Sequence, residues 1–586
     1  MTKVFRDLVV KRGLTPEFLE PKYFSDGDVF ELLPDIKKAI SEIKKALKAG
    51  KKIMVYGDYD VDGVTATTVM VGALKMAAEK IAKADEAEKI ETKKTKAKKT
   101  SEIITMLPDR FIDGYGMSER CIERAKKEKV GLVVTVDCGS NNSKVISKLK
   151  EAKIKTVVTD HHEIMGELPE AEAVVNPKRV DIPLKEQEKI HEEGLIDLAG
   201  VGVAFMVVRG LVKEGLIEDG QEKWLLDLVM IGTLCDSMKL SKMNRVLTFY
   251  GLKVLEKTRR PGLRELLRVA KVSRLSSEAI GYQIGPRLNA GGRMESAEIS
   301  LKLLGAKNRA EAAVLAEELD ELNSNRRKEQ NEAIAEIVRE NGDALRKPVI
   351  IVAGKWHEGV LGIIAGRLVE RYHKPAFVLS LVSNKDEDGD GISDIYKGSG
   401  RSFGDFNLAE AIKACSDVIY SGGGHAEACG VKILPARIVD FIDAMNMYYQ
   451  GLMLEDQSKY LKVSPEMSVT SLEDFSVELL NELSSLEPYG EGNSEPIFKL
   501  IEMLVVKNRR VGKEGNHLRM TVEDSDRNQI ILVAFSAPEK WLRIQEGTSV
   551  NAVVKILKNE WNGRVTPEGR VIDLSVVEDD ELSEDF

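Results

Sequence analysis

The chain has 586 residues, 43% of them hydrophobic and 31% charged, which at roughly 100–200 residues per domain allows three to five domains with sizeable cores. No apolar run approaches the ~18–20 residues of a membrane span, the start MTKVFRDLVVKRG lacks the apolar core of a secretory signal, and five scattered cysteines with no CxxC pair argue against a zinc ribbon or a disulfide scaffold, so a reduced, cytoplasmic protein is expected. The net charge is −9, but the last nine residues, EDDELSEDF, carry six of those negative charges and leave −3 for the rest, so a local basic groove for nucleic acid is not excluded.

In chain order, Ile53-Met54-Val55-Tyr56, Leu132-Val133-Val134-Thr135-Val136 and Thr156-Val157-Val158 are short apolar runs separated by helical patterns. They read as buried parallel strands with helical crossovers. Each run stops at polar residues, at the end of a strand where open α/β sheets build their sites. Residues 75–100 are almost entirely Ala, Glu, Lys and Thr, a solvated helical hairpin or a disordered insertion. Residues 305–343, free of Pro and Gly from Ala306 to Asn341, predict a long linking helix, with Asn323-Ser324-Asn325 as the place for a break. A second α/β segment follows from Pro348 to about Met453. From about Leu461 to Val577, short β-like runs such as Ile530–Val533 and Val550–Ile556, with a turn at Asn562-Gly563, fit a small barrel. The expected division is 1–304, 305–343, 344–455, 456–577 and an acidic tail, 578–586.

The chemistry concentrates in Gly57-Asp58-Tyr59-Asp60-Val61-Asp62-Gly63, three alternating carboxylates just after a strand. Ionised carboxylates this close raise one another's pKa unless a cation neutralises them, and such a set suits Mg²⁺ or Mn²⁺. Taken alone, a solvated acidic turn is an equally good reading. Asp160-His161-His162 follows another strand, in a chain with only seven histidines. With Asp137 and Asp236, carboxylates from several strand ends could surround two cations about 3.5–4 Å apart, the arrangement that activates water for phosphoryl transfer.

VYGDYDVDGVTAT, VVTVDCGS, VVTDHH, VNPKR, LAGVGVAF and the aspartate of IGTLCDSMKL resemble, in order, the motifs of the DHH phosphoesterase superfamily. GYQIGPRLNAGGRM, WHEGVLGIIAGRL, GSGRSF and SGGGHAEACG are similar to the RecJ-type single-strand-specific exonucleases, and LEPYGEGNSEPIF and NHLRM to that family's oligonucleotide-binding-fold region. The resemblance implies an α/β fold: a parallel-sheet DHH domain, a smaller α/β DHH-associated domain joined by the long helix, then an OB-like β-barrel. It implies two divalent ions, Mn²⁺ or Mg²⁺, held by Asp60, Asp62, Asp137, His161 and Asp236, with Asp58 as a further ligand and Asp137 bridging. His162 would lie beside the scissile phosphate and form the catalytic group with Asp62 and Asp137. Many members of the superfamily carry a histidine four residues before Asp60, where this chain has Tyr56, so Asp58 or water would fill that place.

Arg287 and Asn289, expected in an interdomain loop, would contact substrate or phosphate, with a salt bridge as the structural reading of Arg287. Ser399 and Arg401 would form a pocket for a terminal phosphate, and His425 follows glycines that let backbone approach a ligand. His357 would cap a helix or serve the site; His191, His373 and His517 are read as structural or surface residues. Asp386–Ser393 resembles half of an EF-hand loop, but Lys397 stands where the bidentate Glu belongs, so an acidic surface insertion is expected. The implied activity is 5′→3′ hydrolysis of single-stranded DNA to mononucleotides in repair and recombination, with a single-strand-binding protein or a helicase as partner and no membrane. The alternatives are a phosphodiesterase for short oligonucleotides or cyclic dinucleotides, and a non-catalytic replication scaffold.

Overall fold

The computed structural model describes residues 1–24, 29–92, 100–383, 394–454, 457–461, 463–561 and 563–577, without the side chains of 87–92, 458 and 561. The acidic loop at 386–393, the tail at 578–586, Asn562 and residues 93–99 of the charged stretch lie outside them. The described residues form two compact units, 28–236 with 251–462, and 1–27 with 237–250 and 463–586.

The first unit contains two sheets. β1 (Ile53–Tyr56), β2 (Ile103–Met106), β3 (Leu132–Val136), β4 (Lys155–Thr159) and β5 (Ala173–Val175) form an all-parallel sheet in the order β2-β1-β3-β4-β5. β1 and β3 are buried at every position, as apolar runs covered by helices on both faces must be. The order reverses direction between β1 and β3, and in such sheets the loops beyond the carboxyl ends diverge there and leave a crevice. The helix Val61–Thr92 leaves that crevice and carries through the start of the charged stretch.

The helix Arg309–Glu340 links to the second sheet and runs unbroken through Asn323. The sequence offered a break there, but Asn323 is buried and its side-chain oxygen accepts from Arg326 Nε and Nη2 at 3.2 and 3.0 Å, so its amide does not compete for the backbone. β6 (Ile350–Gly354), β7 (Ala376–Ser383), β8 (Asp394–Arg401), β9 (Ser421–Gly424) and β10 (Ala428–Ile433) form a mixed sheet ordered β6-β7-β8-β10-β9.

In the second unit β11 (Met467–Val469), β12 (Ile497–Val511), β13 (His517–Glu523), β14 (Gln529–Ala534), β15 (Ser549–Trp561) and β16 (Arg564–Val576) pair as β11-β12-β13-β14-β16-β15, and a further β12–β15 pairing closes a five-stranded barrel. Leu518, Met520 and Val522 of β13 point into its core, while His517, Arg519 and Thr521 alternate outward.

Met1–Gly27 and Ser237–Tyr250, which the sequence division places with the first sheet, cluster with this barrel. Val4, Phe5 and Leu8 share a core with Leu479, Leu483 and Phe498, and Glu482 accepts from Thr2 N and Oγ1 at 2.9 and 2.5 Å. Among the described residues no helix is long and apolar enough to cross a membrane.

Candidate metal centre and phosphate pocket

The order β1-β3-β4 brings three strand ends side by side, so loops distant in sequence meet. Asp58 and Asp60 follow β1, Asp137 follows β3, His161 and His162 follow β4, and Asp236 caps the helix Leu226–Cys235. Potential ligand atoms of Asp62, His161 and Asp236 lie within 4.8 Å of one another, and so do those of Asp58, Asp60 and Asp137, and those of Asp137, His161 and His162. Asp137 and His161 each appear in two of these groups, with Asp137 Oδ1 3.2 Å from His161 Nε2. The six residues that the resemblance implies as metal ligands are thus assembled in one place.

Backbone holds several of them. Asp62 accepts from the amides of Gly200 and Val201 at 2.6 and 2.9 Å, the first turn of the helix Gly200–Lys213. Gly200 has to be glycine, because a Cβ there would lie 2.5 Å from the Asp137 side chain. Asp137 sits at φ +60°, a left-handed conformation that aspartate tolerates better than most residues, and its own amide donates to Thr159 O at 3.0 Å.

The electrostatics suit cations. Burial, then neighbouring negative charge, pushes Asp58 and Asp137 well up, Asp62 to about 7 and Asp236 to about 9. Burial also drives His161 down to about 3, leaving its ring neutral and able to ligate. Asp58 Oδ1 and Asp137 Oδ1 receive no hydrogen bond from the described residues. Buried carboxylates with unfilled lone pairs and raised pKa values are what oxygen-seeking divalent cations satisfy, so the residues fit such ions.

Tyr56, in place of the expected histidine, is absent from these groups. It is buried in the core and donates to Gly116 O at 3.0 Å, while Asp58 stands with Asp60 and Asp137.

Beside the carboxylates lies a cluster of guanidinium groups. Arg293 is held down to about 9, first by burial and then by Arg110, Arg326 and Arg401, against the pull of Asp60. Arg401 Nη1 donates to Ser399 Oγ at 3.2 Å and to Gly400 O at 2.8 Å, and the Arg110 guanidinium lies 4.7 Å from the Tyr59 ring centre. Like charges gathered around a half-buried arginine form a receptor for an anion.

Family models match in chain order: the DHH family N-terminal domain over residues 52–233, the DHHA1 domain over 346–451 and the RecJ OB domain over 468–573. The single-stranded-DNA-specific exonuclease RecJ of Bacillus subtilis (strain 168) is 34% identical over 99% of this chain and 68% of its own length. The chain belongs to the RecJ exonuclease family. Its structure is similar to that of RecJ from Thermus thermophilus in complex with Mn²⁺ (TM-score 0.75, 25% identity, 98% of this chain and 78% of that one). The Mg²⁺ complex of the same protein matches with TM-score 0.71 at 25% identity, over 97% of this chain and 74% of that one.

Other expectations fare differently. Arg287 and Asn289 lie on the helix Gly285–Met294, not in a loop, because Pro286 in the first turn favours helix and a π-turn leads straight into it. Arg287 is taken up by Asp320, at 2.8 Å, and by Gln283 O of the preceding π-turn. His425 is exposed in the connection from β9 to β10, and His357 caps a short 3₁₀ turn through Gly359 N.

Sequence reasoning missed Asp160 as an organiser. Its carboxylate accepts from Ser140 N, His161 N and His162 N, and lies 2.8 Å from His162 Nδ1. Burial opposes its charge, yet the His162 contact and both imidazoles hold it at about 2; burial likewise opposes charge on His162, and Asp160 raises that ring above its ordinary value. Tyr115, its hydroxyl 2.9 Å from His162 Nδ1, was also missed, as were Arg110 and Arg293. The signals were the aspartate next to the two histidines and the arginine closing GPRLNAGGRM.

Proposed function

We propose that this chain is a metal-dependent exonuclease that hydrolyses single-stranded DNA from its 5′ end to mononucleotides, in DNA repair and recombination. The observation that carries the reading is the juxtaposition of a carboxylate–imidazole cluster with a half-buried guanidinium pocket, joined where Gly292, next to Arg293, packs on Tyr59 O and Arg110 lies over the Tyr59 ring between Asp58 and Asp60. Asp58, Asp60, Asp62, Asp137, His161 and Asp236 would hold two divalent cations, Mn²⁺ or Mg²⁺, whose chemistry when bound is Lewis-acid polarisation of phosphoryl oxygen and activation of water. His162, oriented by Asp160, presents a positively biased ring to the scissile phosphate. Ser399 and Arg401, with Arg110 and Arg293, take the terminal phosphate. Asn289 lies one turn from Arg293 on the same helix face, and with His425 it completes the substrate-binding set. The enzyme works in the cytoplasm, with a single-strand-binding protein or a helicase as the partner that presents single strands.

Labelled strands with Mn²⁺ test this. A 5′ label should leave at once as mononucleotide, a 3′ label should shorten progressively, and a cyclic dinucleotide should survive. Early release of a 3′ label as mononucleotide would overturn the polarity, and rapid loss of the cyclic dinucleotide would favour a small-molecule phosphodiesterase.

The end pocket makes a sharper prediction. Losing the charge-assisted bonds of Arg401 should cut the preference for 5′-phosphorylated over 5′-hydroxyl strands about 10- to 100-fold in Arg401→Ala. Arg401→Lys should recover only part, since an ammonium keeps the charge without the planar fork. Competition between the two strands measures it, and an unchanged preference in both variants moves end sensing to Arg110 or Arg293.

The barrel would guide the strand. Arg509 pairs with Arg519, Arg519 with Val533, Val533 with Arg570 and Arg570 with Lys555, so these side chains form one row on the outer face across β12, β13, β14, β16 and β15. Phe535, 64% exposed, lies against His517 beside them. Replacing Arg509, Arg519 and Arg570 together by Ala should weaken binding of long strands and flatten the salt dependence by about 0.7 for each phosphate that the row neutralises. A salt slope identical to that of the unmodified protein would assign the row a structural part only.

A further inference from the structure

Between the short helix Ser277–Ala279 and the helix Gly285–Met294 the chain makes a single π-helical turn, Ile280–Ile284. Such turns are rare and occur often at functional sites. Ile280 and Ile284 at its ends are buried, whereas Tyr282 between them is 79% exposed. The turn is held firmly: Arg287 Nη1 donates to Gln283 O at 2.8 Å while its Nε donates to Asp320 of the linking helix at 2.8 Å. Arg287 therefore pins the turn that carries Tyr282.

The turn abuts the carboxylate cluster. A Cβ on Gly285 would lie 2.6 Å from Cys235 Sγ, and Cys235 immediately precedes Asp236. The helix then passes the loop after β1, where a Cβ on Gly292 would lie 2.7 Å from Tyr59 O, and reaches Arg293 in the guanidinium pocket. From Tyr282 to Arg293 the chain rises about 16 Å alongside the cluster, at 1.5 Å per residue. The anion pocket stands at one end of this helix, the Asp236 side of the cluster at the other, and an exposed aromatic ring just beyond.

We propose that Tyr282 is a stacking platform for a nucleobase of the single strand downstream of the scissile phosphate. The proposal deepens the reading above and rests on it: a strand with its end phosphate among the arginines and its first phosphodiester at the carboxylates continues toward the Tyr282 end. Every base offers a π face, so one exposed ring on a pinned turn grips a strand without reading its sequence.

Fluorescence anisotropy of the full chain with Mn²⁺ tests it, using a 5′-phosphorylated 20-mer with hydrolysis-resistant phosphorothioate linkages and an abasic strand of the same length and charge. Tyr282→Ala should weaken binding of the base-bearing strand about 5- to 100-fold. Tyr282→Trp should restore it, and the abasic strand should bind both variants as it binds the unmodified protein. Unaltered binding of the base-bearing strand by Tyr282→Ala would overturn the proposal alone, as would an equal loss on the abasic strand. Failure of the unmodified protein to bind or degrade single strands would instead sink the exonuclease reading, and the stacking role with it.

Discussion

Chelation of divalent cations should abolish strand hydrolysis by this protein, and Mn²⁺ or Mg²⁺ should restore it. Asp137→Ala and Asp62→Ala should lower kcat by roughly 10³-fold or more, the several kcal/mol of charge stabilisation that such a centre supplies. Asp137 belongs to two of the three ligand groups, so its loss disturbs both halves of the site. Stability should follow the same electrostatics. Carboxyls whose folded pKa is raised bind protons more tightly folded than unfolded. The cation-free protein should therefore lose stability as pH rises from the ordinary 3.8 through about 7 for Asp62 and about 9 for Asp236. Added Mn²⁺ should raise Tm most toward the upper part of that range, where the ionised carboxylates repel one another and no proton competes for them. Calorimetry with and without Mn²⁺ at several pH values measures this. Full activity in a chelator, or a cation-free Tm that climbs with pH across that window, would refute the two-ion centre.

Truncating Arg245 should cost the barrel unit about 3–5 kcal/mol. Arg245 is 1% exposed, and it donates to Phe18 O at 3.0 Å, Leu486 O at 3.1 Å, Glu487 O at 2.7 Å and Ser485 O at 2.9 Å. It also lies over the rings of Phe18 and Phe249, at 4.6 and 5.2 Å. Burial lowers its pKa to about 10 against the pull of Tyr489 and Glu487, yet four carbonyls repay that cost. Arg245→Met keeps much of the apolar stem but strands those carbonyls, and Arg245→Lys cannot reach four acceptors at once. Denaturant unfolding followed by intrinsic fluorescence should show Met and Ala variants similarly weakened and Lys between them and the unmodified chain. A loss under about 1 kcal/mol for Ala would mean that water satisfies the carbonyls.

The strand ends at Asp58, Asp60, Asp137 and His161 were legible in the sequence for a local reason: buried parallel strands are continuous apolar runs, and the first polar residue after each marks where the chain leaves the core. Asp236 was visible in the same way, as the end of an apolar helix. The barrel strands β14 and β15 were legible as short β-like runs, Ile530–Val533 and Val550–Ile556, rich in β-branched residues. Arg110, Arg293 and Tyr115 were not, because an arginine or tyrosine in a polar loop looks the same whether it faces water or an anion pocket. The helical state of Arg287 was hidden too: glycines at 285, 291 and 292 and Pro286 read as a loop, and only packing of Gly285 against Cys235, Gly291 against Ser296 O and Gly292 against Tyr59 explains why glycines stand there.

The order of apolar runs, carboxylates and glycines along this chain determined by itself that a parallel sheet would present acidic loops at its carboxyl end, because burial and backbone sterics act on neighbours in sequence. Which loops face one another was decided only by the strand order β2-β1-β3-β4-β5, since hydrogen-bond partners between strands are chosen by packing over distances that no local pattern records. The same holds for Met1–Gly27 and Ser237–Tyr250. Their apolar residues announce burial but not against what, and only the carbonyls gathered around Arg245 and the core shared with Phe498 tie them to a barrel more than 200 residues further along the chain.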